Sequence, residues 1–223
     1  MLCFVNARWS KALPFVFIVL AALSRWPGLF PKNFSAFYGL SFCAGAFFPG
    51  TMKWWLPMGT LLVTDLALDC YYYFALGINA FQPYQLMNYP AFALIILLGT
   101  RCNLHSTMLR LLAGGILGAI LFYLFTNTAA WLFNPFNNPE YTKDWAGWLL
   151  ALTKGTSGHP TTPEFFRNTL LSGGLFTGLF AGAAKIGEAA ESAREKDSQE
   201  EPAKEEEPAN APDGQPAPEQ AKA

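Results

Sequence analysis

Two carboxylates set in an apolar run are the side chains best placed to do chemistry in this chain. Asp65 and Asp69 lie within LLVTDLALDCYYY, residues 61–73. Four residues apart, they share one face of a helix. A carboxylate in a lipid-facing helix costs about 3 kcal/mol unless it meets a partner or a wet cavity. The chemistry this suits is binding, in which a fixed polar group orients a polar solute. Further along, Glu164, Arg167 and Asn168 fall at i, i+3 and i+4 on one helical face. Asn127 and Trp131 close another apolar run. Arg167 is the expected ion partner of Asp69. The expected ligand-binding set is therefore Asp65, Asp69, Asn127, Trp131, Arg167 and Asn168, with Asp65, one turn deeper, the most sensitive position.

Nothing in the sequence argues for catalysis. His105 sits in a tight turn and His159 in a long connection on the opposite side of the expected layout. The chain has no HExxH, no Ser-His-Asp arrangement and no nucleotide motif. Cys3, Cys43, Cys70 and Cys102 fall in separate segments without CxxC spacing, which suits small apolar fillers rather than zinc ligands or disulfides. No catalytic residue, metal, cofactor or nucleic-acid partner is expected.

The elements that position the candidate residues follow from composition. Of 223 residues, 52% are hydrophobic and only 14% charged, against about 25% charged in ordinary soluble chains. Charge is also segregated. The first 187 residues hold 11 basic and 5 acidic side chains, net +6, and residues 188–223 hold 4 and 11, net −7. This reads as an all-α membrane protein. A six-helix transmembrane domain occupies 1–187, and a disordered Glu, Ala, Pro and Lys-rich tail occupies 188–223.

The six expected spans cover 14–23, 34–48, about 54–69, 88–100, 109–125 and 165–186. The first competes with a signal peptide cut after Ala22-Leu23-Ser24. An uncleaved helix is preferred, because aromatic and apolar residues lead straight into the next span. Gly114 and Gly118, and then Gly174, Gly178 and Gly182, are spaced as GxxxG packing stripes. In the longest connection, 134–164, Trp145, Trp148, Leu149 and Leu152 form one face of a short amphipathic helix. That helix is expected flat on the bilayer or folded over the bundle mouth.

Six spans place both termini on one side. Arg8, Lys11, Lys53, Arg101 and Lys185 then lie with the termini, and Arg25, Lys32, Lys143, Lys154 and Arg167 lie opposite. With the tail's basic residues added, the bias favours cytoplasmic termini. The inner connections are tight, at 49–52 and 101–106, and the outer ones long, at 24–33, 70–87 and 134–164. Long loops gathered at one mouth make binding sites. All six candidate residues fall toward that mouth.

Four stretches carry a family resemblance: NFSAFYGLSFCAGAFF at 33–48, TD at 64–65, FTNTAAWL at 125–132 and FFRNTLLSGG at 165–174. Their order and spacing resemble an uncharacterised family of bacterial multi-pass membrane proteins, a domain of unknown function. That family is in turn similar to the substrate-binding S components of energy-coupling-factor (ECF) vitamin transporters. The resemblance covers about residues 12–187. It implies a six-helix protein of the bacterial inner membrane that binds a small vitamin-like solute from outside. It further implies partnership with membrane lipid and with a coupling subunit and its ATPases. The rival reading is a non-transport scaffold whose acidic tail recruits a partner. A cavity behind the outer loops, lined by Asp65, Asn127 and Asn168, separates the two, since a scaffold has no need of one.

Overall fold

The computed structural model describes residues 8–135, 137–155 and 161–205. The apolar runs fold as α1 (Arg8–Arg25), α2 (Phe37–Phe47), α3 (Met52–Leu76), α4 (Asn88–Gly99), α5 (Met108–Phe133), α6 (Trp145–Thr153) and α7 (Thr162–Glu205). A 3-10 turn, Pro83–Met87, precedes α4. No strand occurs among the described residues.

The arrangement centres on α2. Its sequence, FYGLSFCAGAF, is apolar on every side, and such a helix is stable only when covered all round. All but one of its residues are buried. It packs against α1, α3, α4, α5 and α7. On one side Phe17 of α1 meets Phe37 of α2, Phe48 and Phe180 of α7 edge-to-face, with centroids 5.8–6.5 Å apart. This geometry suits the ring quadrupoles.

Glycine sets the closest approaches. A Cβ at Gly45 would overlap the Ile96 carbonyl of α4, and one at Gly99 would overlap the Phe42 carbonyl of α2. The two backbones therefore touch. A Cβ at Gly39 or Gly115 would run into Thr177 of α7. The expected stripe at Gly174, Gly178 and Gly182 does face α5, each glycine opposite the far end of Ile116, Leu112 or Met108 at 3.3–3.9 Å. The tighter contact is one residue earlier, where a Cβ at Gly173 would come within 2.9 Å of the Ala119 methyl. Gly45→Ala is expected to destabilise the protein by about 1–3 kcal/mol, because backbone must move to admit the methyl. Gly59, in mid-α3, has open space around its Cα. Gly59→Ala is expected to stabilise by up to about 1 kcal/mol through helix propensity. Thermal unfolding of the two purified variants beside the parent checks both signs.

Several helix ends differ from the sequence-based expectation. α3 does not stop near Asp69 but continues to Leu76, where Gly77 takes a left-handed conformation, φ 66°, and its N–H returns to Tyr73 O. α5 passes Phe125 and ends at Asn134, φ 41°. At these two ends the helix stops not at its polar side chains but at a residue that accepts positive φ. α7 runs beyond Gly187 as far as Glu205, so the expected disordered segment begins with helix. Its Ala, Glu, Lys and Arg content is that of strong helix formers. The rest of the tail, residues 206–223, lies outside the described residues.

Among the described residues, two helices pass the length and apolarity needed for a membrane span, against the six spans expected. α5 and α7 are long and apolar enough to cross a membrane, through Met108–Phe133 and Thr162–Lys196. Only 22% and 39% of their most apolar windows is buried, whereas the core helix of a soluble protein is mostly covered. α2 and α4, with 11 and 12 residues, reach only about 16–18 Å. That is short of the roughly 30 Å hydrocarbon thickness.

Candidate binding cavity

A half-buried ion pair ties three helices together beside one mouth of the bundle. Arg25, the last residue of α1, donates through Nη2 to Asp65 Oδ1 of α3. The Tyr89 hydroxyl of α4 donates to Asp65 Oδ2 at 3.0 Å. The guanidinium also stands 5.7 Å from the centre of the Phe37 ring. The two charged side chains are 18% and 20% exposed, so each depends on the other for its charge to be tolerated. The expected pairing of Asp69 with Arg167 is thus replaced by Asp65 with Arg25. Asp69 is half-buried and Arg167 exposed. Neither forms an ion pair among the described residues.

The mouth is roofed by loops whose polar side chains hold them in place. Asn134 Oδ1 accepts from Asn138 N at 2.8 Å and its Nδ2 donates to Asn138 O at 2.9 Å, closing the turn after α5. Trp131 Nε1 donates to Thr142 O at 2.7 Å, and Lys143 Nζ lies 5.5 Å from the Trp131 ring centre. Asn168 Nδ2 donates to Lys32 O at 2.9 Å, pinning the loop after α1 to α7. Asp144 caps α6, accepting from Gly147 N at 2.8 Å and from the Thr142 hydroxyl at 2.7 Å. The Gly147 bond first, then that of Thr142, holds its carboxyl below the usual range.

α6 is folded over this end, packed on α5 and α7. Tyr123 OH donates to Leu152 O, Trp148 Nε1 to Thr128 Oγ1 at 2.9 Å, and Thr162 Oγ1 to Ala151 O at 3.0 Å. The covered side carries Gly147, Ala151 and Leu152. Of the expected apolar face, Trp145 stays 73% exposed, along with Leu149.

Under this roof lies a cavity of about 910 Å³, within the size range of small-molecule sites. Its apolar wall is aromatic, with Tyr38 of α2, Phe92 of α4 and Phe122 of α5 in mutual ring contact. Its polar wall includes Arg25, Asn127, Asn138 and Thr169. Tyr84, also on the wall, has its hydroxyl pKa pushed up by burial and so stays neutral. Among the described residues no three His, Cys, Asp or Glu side chains gather to hold a metal.

Of the six residues expected from sequence, Asn127 alone lines the cavity. Its Nδ2 donates to Tyr123 O at 2.8 Å. Asp65 stands behind the wall, gripping Arg25, while Trp131 and Asn168 fasten the roof. Asp69 and Arg167 belong to neither group. Sequence reasoning missed Arg25 and Asn138. Arg25 had a signal: a carboxylate in an apolar helix demands a cation, and Arg25 ends an apolar helix.

Together these features define a bundle of helices with a polar and aromatic cavity at one mouth. The chain belongs to a family of unknown function (DUF6580), matched over residues 6–194. This agrees with the uncharacterised family expected from the quoted motifs. No curated protein and no solved structure gives a significant match, so the likeness to ECF S components gains no support from these comparisons.

Proposed function

We propose that this protein is a membrane-embedded binding subunit that takes a small, vitamin-like solute from the outer face of the bacterial inner membrane. The reading rests on one observation, the cavity of about 910 Å³ beneath the long connections of a single mouth. A scaffold has no need of such a space, and close packing would have filled it. In this reading α1 to α5 and α7 are the six spans of an S-component-like bundle. The short helices α2 and α4 are shielded by their neighbours, which satisfies backbone at membrane depth. α6 lies across the mouth as its cover. Both termini are cytoplasmic. The protein has no ATPase motif, so uptake requires a coupling subunit and its ATPases.

The scaffold reading has its own support in α7, whose extension past Gly187 carries Glu188, Glu191 and Glu195. A helix of that charge suits a basic partner. It leaves the cavity without a role, and the transport reading is therefore preferred.

A thermal-shift screen of water-soluble vitamins and their precursors, run on detergent-purified full-length protein, tests the proposal. A solute that binds only the folded state raises the melting temperature in proportion to the logarithm of its concentration. At least one such solute is expected. A melting temperature unmoved by every class of solute would favour the scaffold.

A further inference from the structure

We propose that the end of the bundle opposite the cavity binds one anionic phospholipid, its phosphate held by Arg101 and Arg110 and its acyl chains laid along α4 and α5. This site is separate from the solute cavity and does not depend on it. α4 lines the cavity through Asn88 and Phe92, and α5 through residues from Phe122 to Ala130. Arg101 and Arg110 lie at the other end of both helices. Arg101 follows the last turn of α4, its N–H donating to Leu98 O at 3.1 Å. Arg110 stands in the first turn of α5, and its Nη2 donates to Arg101 O at 2.9 Å. That bond brings two exposed arginines together. Neither forms an ion pair among the described residues, and the sequence holds no Asp or Glu between Asp69 and Glu140. Lys185 of α7 adds a third cation, its Nζ donating to Leu104 O of the same turn. The next charged residue on α7 is Glu188.

Arg101 suits the negative end of α4, but Arg110 sets a cation at the positive end of α5. An anion accepting from both guanidinium groups offsets that contact and their mutual repulsion, through charge-assisted hydrogen bonds. The surface beside the arginines points to a lipid rather than a soluble anion. Helical spacing puts Leu97 and Leu94 on the Arg101 side of α4, and Ala113 and Leu117 on the Arg110 side of α5. All four are exposed, Leu97 by 50% and Leu117 by 44%. The two helices pack against each other, and α5 is long and apolar enough to cross a membrane. A headgroup phosphate at the arginines would lay its acyl chains against these side chains. Basic sites beside membrane helices recognise anionic headgroups in this way.

Native mass spectrometry of the full-length protein in detergent, titrated with dioleoylphosphatidylglycerol or dioleoylphosphatidylcholine, tests the site. The two lipids share acyl chains and differ in net headgroup charge. The parent is expected to retain one phosphatidylglycerol about tenfold or more tighter than phosphatidylcholine. Arg101→Gln with Arg110→Gln should reduce that preference to about twofold or less. Lys154→Gln with Arg167→Gln removes the same charge from exposed positions at the cavity end, and should leave the preference unchanged. Equal retention of the two lipids by the parent would overturn the site whatever the variants do. Persistence of the preference in Arg101→Gln with Arg110→Gln would also overturn it. An equal loss in both double variants would assign the preference to the overall charge of the protein and overturn the site. Displacement of phosphatidylglycerol by glycerol phosphate would assign the arginines to a soluble anion and overturn the lipid.

Discussion

Asp65→Leu is expected to destabilise the protein by about 3 kcal/mol, because it strands the Arg25 guanidinium in a site built for an ion pair. The wild-type carboxylate accepts from Arg25 and from the Tyr89 hydroxyl. Leucine accepts from neither. The cost falls at the lower end for a broken buried pair, since both side chains retain some exposure. Replacing both partners, as Arg25→Met with Asp65→Leu, is expected to recover most of the loss, because no charge is then left without a partner. Chemical denaturation of the single and double variants in detergent measures the difference. If the double variant is no more stable than Asp65→Leu, the pair does not hold α1 to α3 and the account of this latch is wrong.

Phe37→Ala is expected to cost about 3–5 kcal/mol, the range for emptying a large aromatic site in a packed core. Phe37 is fully buried. Its ring packs at 6.1 Å from Phe17 and 4.7 Å from Phe92, with the Arg25 guanidinium at 5.7 Å. The cavity left by alanine would therefore open between the central helix and the polar latch. Phe37→Leu, which refills much of the volume, should recover more than half of the loss. Thermal unfolding of the two variants checks the order. Equal destabilisation by both would locate the effect in ring-specific contacts rather than in packing volume.

The helices were legible in the sequence because their apolar runs are long and bounded by Pro, Gly and Asn. α5 and α7 were clearest, each holding an unbroken apolar run with glycine spaced for packing. The centrality of α2 was less legible. Its small residues announced close contact, but not with which neighbours, and the apolar run at 34–48 read as a span, whereas the helix within it has 11 residues and is buried nearly throughout. Ends of helices were misjudged wherever polarity was taken for termination. Asp69 and Thr126 lie inside continuous helices, and the true stops are Gly77 and Asn134 in left-handed conformations.

Of the expected binding set, only Asn127 lines the candidate cavity. Polar residues at helix ends pointed to one mouth, and the cavity lies there. Which of them face inward depends on tertiary geometry that spacing does not contain. Trp131 and Asn168 hydrogen-bond to loop carbonyls, and a sequence does not tell a strap from a ligand contact. Asp65 was singled out for the cost of its charge, and that cost is met by Arg25, 40 residues earlier in the chain. In the sequence Arg25 counts among the outer charges at the start of the 24–33 connection, which hid its pairing with the third helix.

The central claim is that the cavity beneath the loops binds a solute. The measurement that tests it most directly is equilibrium dialysis of a thermal-shift ligand against the parent protein and Ala130→Trp. Ala130 lines the cavity on α5, and an indole there fills part of its volume without adding charge. The account predicts saturable binding of one ligand per chain to the parent, and affinity about tenfold or more weaker in a folded Ala130→Trp. Equal affinity in the two proteins would place the ligand elsewhere and contradict the account.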